Sequence, residues 1–231
     1  MAGLKISNLM NAVALPRKAH SQFSISVDEK THAARLLHVL AEGEQVASTI
    51  ALEQAKLCRH SEHPRLAKFL KQQSRQEKFH QLAFERGANW LAPKEHSGYR
   101  PVFTELENKL KQDIQNQDMT SSVVGLQVAL EALGDAFLET LSARMEKRAM
   151  GLDSVMHLII HQEIAHQNFG KRYLSKYADR QDISLLTADY MQIIDNAISA
   201  FQSSLHAIDI DDAPYRTAVN QQLYNAIEIS R

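Results

Sequence analysis

The chain holds one cysteine, Cys58, among 231 residues. That excludes an intramolecular disulfide, a CxxC zinc knuckle and a C-terminal rubredoxin-type iron site, and leaves Cys58 to be read as a small buried hydrophobe. Glycine (8) and proline (5) are sparse and aromatics make up 6%, too few turn-formers and rings for a fold built of strands. Neither charge dominates. With 26 basic against 27 acidic residues the formal net charge is −1, so there is no basic footprint for nucleic acid and no polybasic stretch for a membrane surface. No run of about 18 apolar residues is uninterrupted, which argues against a membrane span. Met1 to Lys18 carries its basic cluster after its apolar residues, unlike a signal peptide, and the expected location is cytoplasmic. What is abundant is Ala, Leu, Gln, Glu and Lys with a 44% apolar share, the composition of long helices around a core. An all-α protein is expected.

Helical periodicity can be followed along the chain and is punctuated by turn chemistry. Leu37, Leu40, Glu44, Ala47 and Ala51 share one face of a first helix, about Val27 to Arg59, which stops at His60-Ser61-Glu62-His63-Pro64. A second helix runs from Pro64, well placed at a helix start, to Leu91 before Ala92-Pro93. A shorter, mostly polar helix, about Val102 to Gln117, reads as a connector. Thr120 or Ser121 can cap a third long helix, about Ser122 to Met150, ending at Gly151. Asp153 can cap a fourth, about Ser154 to Ala178, and two more follow, about Ser184 to Ile208 and Pro214 to Ile229. No linker-like segment divides the chain, so residues 1–231 are expected to form one domain, with a core bundle at about 27–178 and C-terminal helices at about 184–230.

Short turns make helices one and two, and helices three and four, antiparallel pairs. The connection between the pairs is about 28 residues, whereas a bundle helix of about 27 residues is about 40 Å long. Such a connection can travel the length of the bundle, so that helices two and three run parallel.

Two segments, Glu77-Lys78-Phe79-His80 and Glu163-Ile164-Ala165-His166, are E-x-x-H, which on a helix projects both side chains from one face. With 15 Glu and 11 His in the chain, roughly 0.7 such spacings arise by chance, and a third copy, Glu29-Lys30-Thr31-His32, exists near a helix start, where it reads as solvated. Position separates them. Pairing Glu44 with Glu77 and His80 across an antiparallel hairpin puts the mirror point near residue 61; pairing Glu131 with Glu163 and His166 puts it near 148. Both fall at turns placed from Pro, Gly and capping residues alone. The chosen acids also sit on apolar faces: Glu44 with Leu40 and Ala47, Glu131 with Val124, Val128 and Leu138, Glu163 with Met156, Ile159 and Ile160. Burying one ionised carboxylate costs several kcal/mol, and four together require cations among them. Glu44, Glu77, His80, Glu131, Glu163 and His166 are therefore the expected metal ligands, for two divalent ions, iron, manganese or a mixed pair, which suit the same donors. Glu42 is the alternative to Glu44, on a less consistently apolar stripe. Asp135, Gln127 and Ser74, each a turn or so from a ligand, are candidates to orient the ligands. Gly43, Gly134 and Gly170 lie within a turn or two of ligands, where they leave room for oxygen or substrate or allow close helix packing.

These residues resemble the ferritin-like di-iron carboxylate superfamily over about Val27 to Tyr177, the six positions matching its ligands one for one. The run Glu163 to Leu174 looks like the fourth-helix signature of its bacterial oxidase and oxygenase branches, and Glu42-Gly43-Glu44-Gln45 with Ala47 is similar to the first helix of cyanobacterial aldehyde-deformylating oxygenases. The resemblance implies a ferritin-like four-helix bundle with a long crossover and two extra C-terminal helices. It also implies an oxidase or oxygenase that activates dioxygen or peroxide with an external electron donor and oxidises a small, apolar organic substrate. The alternative is an iron-binding or ferroxidase protein without an organic substrate. A metal-free helical adaptor is a third reading. A homodimer is expected, with no nucleic-acid or membrane partner. The apolar face of Leu185, Leu186, Tyr190, Ile193, Ile194, Ile198, Phe201 and Leu205 is read as core or dimer interface, and as a possible cover over the metals.

Overall fold

The computed structural model describes residues 26–59, 64–93, 101–147 and 153–228, and every regular element among them is helical. The first two bundle helices begin where the periodicity placed them, the third long helix starts three residues earlier than expected, at Met119, and the fourth one residue earlier, at Asp153. Helix α1 spans Val27–Arg59 and α2 Pro64–Leu91. After a connection holding α3, Thr104–Gln115, a continuous rod is made of α4 (Met119–Val123), a π-helical stretch (Val124–Leu130) and α5 (Glu131–Lys147). Then come α6, Asp153–Tyr177, α7, Arg180–Ala207, and α8, Asp212–Glu228. The turns expected near 61 and 148, with Gly151, and the Ser97-Gly98 passage lie outside the described residues.

Cross-helix pairs fix the directions. Ser48 reaches Ser74 and Glu44 reaches His80, so α1 and α2 run antiparallel. Gln54 bonds Ser122 and Gln127 while Gly43 faces Leu130, so α1 also opposes the rod that ends in α5. Gln167 bonds Asp135, and Gly170 abuts Gln127, so α6 opposes α5. Helices α2 and α5 are therefore parallel, and the connection through α3 must run the length of the bundle.

Local chemistry explains the element starts. Ser26 and Glu29 form a reciprocal cap on α1, the Ser26 hydroxyl accepting from Glu29 N and the Glu29 carboxylate from Ser26 N. The third E-x-x-H is thus a helix cap, and its His32 pairs with Ser204. The rod is capped by Asp118, whose side chain accepts from Ser121 N at 2.9 Å, rather than by Thr120 or Ser121. Helix α6 begins at Asp153 itself, whose side chain lies outside the described residues.

The π-helical stretch was not foreseen. Its seven residues are all buried, and its wider turn means that neighbours three and four apart no longer share one stripe, as 3.6-residue periodicity assumes. Gly125 there packs directly on the Tyr190 ring, a place no Cβ could occupy. Tyr190 in turn donates to Asp113, which also accepts from Ser121 Oγ at 2.7 Å and pairs with Lys109 at 2.5 Å. This buried cluster ties α3, α4 and α7 together.

The apolar core is continuous from α1 to α8. Of the α7 face, Tyr190, Ile194, Ile198, Phe201 and Leu205 are buried, Leu186 and Ile193 partly so, and Leu185 is 63% exposed. Among the described residues one stretch, Met119–Leu141, is long and apolar enough to cross a bilayer, and 94% of its apolar window is buried by the other helices, as befits the central rod of a bundle.

Candidate metal centre

Four helices deliver six side chains to one level of the core. Glu44 comes from α1, Glu77 and His80 from α2, Glu131 from the first residue of α5, and Glu163 and His166 from α6. Glu77, His80, Glu131, Glu163 and His166 are buried, and the side chain of Glu44 is 11% exposed. They form two overlapping groups whose candidate donor atoms lie within 4.8 Å of one another: Glu44, Glu77, His80 and Glu163, and Glu77, Glu131, Glu163 and His166.

The shared members are the two acids of the E-x-x-H motifs, and each turns one oxygen to each half. Glu77 Oε2 lies 3.0 Å from His80 Nδ1 and its Oε1 2.9 Å from His166 Nδ1. Glu163 Oε1 lies 2.8 Å from His80 Nδ1 and its Oε2 3.0 Å from His166 Nδ1. Glu44 stands beside His80 at 3.5 Å and Glu131 beside His166 at 3.8 Å. The geometry is that of two carboxylates spanning two positions, with one further carboxylate and one imidazole at each.

Electrostatically this cluster is in conflict with itself. Burial, then the neighbouring Glu163, pushes Glu44 up to about 8, and the same two causes carry Glu131 well above the carboxylate range. Glu163 is also penalised by burial, yet His80 and His166 hold it well below its ordinary value. Burial opposes charge on both imidazoles. The surrounding carboxylates outweigh it, raising His80 well above its usual range and His166 to about 10. Both Glu77 oxygens, His80 Nδ1 and Glu163 Oε1 are buried without a hydrogen-bond partner of proper geometry, although charges lie within 3 Å. Buried polar atoms left in that condition are costly in water-free surroundings. Two divalent cations would satisfy all of them at once, and four carboxylates with two imidazoles are the donors that iron or manganese accepts.

Glu42, one alternative for α1, is turned elsewhere. Its two oxygens accept from Val102 N and Phe103 N, both at 2.9 Å, fastening the approach to α3. Of the three candidate orienting residues, none bonds a ligand imidazole. Asp135 receives Gln167 Nε2 and is pushed up to about 7 by burial and then by Glu163. Ser74 pairs with Ser48. Gln127 acts at one remove, donating to Gln73, which donates to Glu131.

The imidazoles are held by two residues the sequence reading passed over. His80 Nε2 lies 2.7 Å from Gln162 Oε1, and His166 Nε2 lies 3.1 Å from Gln76 Oε1. Each glutamine immediately precedes a motif glutamate, so the repeated unit is Q-E-x-x-H, and each copy's glutamine serves the other copy's histidine. A carbonyl acceptor at Nε2 keeps a proton there, so that Nδ1, facing the carboxylates, is the nitrogen that would give up its proton to a metal. The duplicated Gln was the available signal.

An apolar slot opens onto the cluster. It is narrow, with about 30 Å³ of room inside, and is lined by Glu44, Glu131 and Glu163 together with Leu40, Phe103, Leu130, Phe137, Leu138 and Phe201. Gly43 and Gly134 line it. A Cβ on Gly134 would meet nothing within 4 Å, while one on Gly43 would touch Phe103 at 3.4 Å. Gly170 serves packing instead: a Cβ there would stand 2.7 Å from Gln127 Cβ. Helix α7 walls the slot through Phe201, stacked on Phe137 at 5.3 Å, and α8 packs on a wall residue from outside, Tyr215 donating to Leu133 O at 3.2 Å.

No protein-family model and no curated protein sequence matches the chain. Among solved structures it is similar to "Protein 19 with aldehyde deformylating oxidase activity from Synechococcus", with a TM-score of 0.77 and 15% identity over 89% of this chain and 92% of that one. With that likeness the fold is a ferritin-like helical bundle.

Proposed function

We propose that this protein is a di-metal carboxylate oxidoreductase that uses dioxygen or peroxide to oxidise a small apolar organic molecule. In this reading Glu44 and His80 would hold one ion and Glu131 and His166 the other, with Glu77 and Glu163, common to both groups, available to each. Iron is the favoured metal, with manganese or a mixed pair fitting the same donors. When bound, a reduced iron pair supplies electrons to dioxygen, and an external donor restores them.

The chain's own residues then have distinct tasks. Gln76 and Gln162 hold the imidazoles in one tautomer. Packing around the cluster excludes water, which strengthens every charge interaction within it. The slot would bind substrate by burying its apolar chain, at about 0.8 kcal/mol per methylene, beside Glu44, Glu131 and Glu163, which are part of its lining.

The observation that carries this reading is the joining of cluster and slot. Oxidation or holding of iron alone would use the same six residues and leave an apolar path to them without a task. The solved neighbour's aldehyde-deformylating activity makes linear aldehydes the first substrate class to try.

Protein reconstituted with Fe(II) and given a chemical reductant should consume dioxygen faster when a medium-chain aldehyde is present and yield a product from it. Gly134→Leu fills the open part of the slot and should abolish that product while both metals still bind. Oxygen consumption that is indifferent to every apolar substrate, and unchanged by Gly134→Leu, would favour the ferroxidase reading instead.

A further inference from the structure

The two halves of the centre look symmetric in their six principal residues but differ in what stands behind them. Glu131 Oε1 accepts a hydrogen bond from Gln73 Nε2 at 2.9 Å. Gln73 Oε1 accepts from Gln127 Nε2 at 3.2 Å. Gln127 and Gln54 are doubly joined, Gln127 Nε2 donating to Gln54 Oε1 at 2.7 Å and Gln54 Nε2 to Gln127 Oε1 at 3.2 Å, and Gln54 also donates to Ser122 Oγ at 2.9 Å. The three glutamines are each at most 1% exposed. They come from α2, the π-helical stretch and α1, so the chain of amides crosses the bundle and ends on one carboxylate.

Glu44, the corresponding residue of the other half, has nothing of the kind. Among the described residues its polar contact is His80, at 3.5 Å, and it borders the slot.

A buried amide has few ways to satisfy its donors and acceptor, so each member of such a chain fixes the rotamer of the next. Gln73 is therefore not free to turn away from Glu131, and the carboxylate plane is set before any ion arrives. Glu44 must be ordered when its ion binds. Preorganised ligands bind metals more tightly because the ordering cost is already met by the fold, and loss of such an outer partner typically weakens a site tenfold to a hundredfold.

We propose that Gln73, held by Gln127 and Gln54, is a positioning residue that makes the Glu131/His166 half the tighter of two unequal metal sites, so that this half fills first and the slot-facing Glu44/His80 half fills second. This rests on the di-metal reading above.

The test is titration of the full-length metal-free protein with Mn(II), followed by calorimetry and by electron paramagnetic resonance. Wild type should bind in two separable steps, and at one equivalent should give the signal of isolated Mn(II) with little spin-coupled pair. Gln73→Leu should lose ten- to a hundredfold in the first step, merging the two, and coupled pairs should appear below one equivalent. Gln54→Leu, two links away, should shift the first step in the same direction by less, and it keeps the test decisive if Gln73→Leu does not fold. A merely structural role would lower thermal stability and leave the two-step order intact, and that result overturns the proposal. Equal affinities in wild type overturn it too while leaving the di-metal reading standing. Absence of any Mn(II) binding would overturn both.

Discussion

Loading two divalent ions into this core must expel protons, and charge neutrality sets how many. Without metal, a cluster of four carboxyls and two imidazoles buried in a bundle stays near neutral with both imidazoles protonated and two carboxyls ionised. The directions agree: His80 and His166 are raised, the latter to about 10, Glu44 is raised to about 8 and Glu131 well above its range, while Glu163 is lowered. With two divalent ions, neutrality instead requires four carboxylates and two neutral imidazoles. The change releases about four protons, or about two per ion. Each released proton makes affinity tenfold stronger per pH unit, so each ion should gain about a hundredfold per unit, about 2.7 kcal/mol. The sign follows from the raised values: protons compete with metal at low pH, and binding tightens as pH rises. The full slope holds below about 8 and flattens above it, where Glu44 has already lost its proton. Calorimetric titration with Mn(II) between pH 6 and 7.5, in buffers of different ionisation enthalpy, reads the proton count directly. Fewer than one proton per ion, or affinity that is flat over this range, would refute the argument and place the ions outside the buried cluster.

Three further outcomes are expected. Glu42→Ala should lower stability by about 1–3 kcal/mol in thermal unfolding, the cost of leaving Val102 N and Phe103 N without their carboxylate acceptor, and leave two ions bound; loss of one ion would return Glu42 to the ligand set. Gly170→Ala should lower stability by about 1–2 kcal/mol, since overpacking against Gln127 outweighs the gain in helix propensity. A neutral or stabilising result would mean α6 can move away from the π-helical stretch. Gln162→Leu removes the acceptor at His80 Nε2 and should weaken metal binding about tenfold or more, measured by Mn(II) titration, with little change in the metal-free fold.

Much of the fold could be read along the chain because each cue is local. Pro64 at a helix start, the apolar stripe through Leu37, Leu40 and Ala47, and the length of the 92–118 connection each follow from a few neighbouring residues, and together they imply antiparallel pairs and a crossover. The candidate centre was legible for a related reason: two E-x-x-H units and two lone glutamates on apolar faces, paired by reflection through predicted turns, need only helix geometry and the cost of burying charge.

What escaped depends on contacts far apart in sequence. Nothing near Gln73 says that it meets Glu131, 58 residues on, nor near Gln76 that it meets His166, because a glutamine on a helix is equally at home in water. Glu42 and Glu44 both fit a helix, and only the arrival of Val102 N and Phe103 N beside Glu42 separates them. The widened turn at Val124–Leu130 breaks the periodicity on which sequence reading relies, and it exists where Gly125 meets Tyr190 and Gln127 meets Gly170.

The sequence by itself therefore determined the helices, their pairing and the six residues with reason to meet, since these rest on periodicity, capping and charge. The tertiary structure decided which carboxylates span the two halves, which half is braced by buried amides and where an apolar path reaches them. Those depend on the angles at which rods cross, and no single rod carries that information.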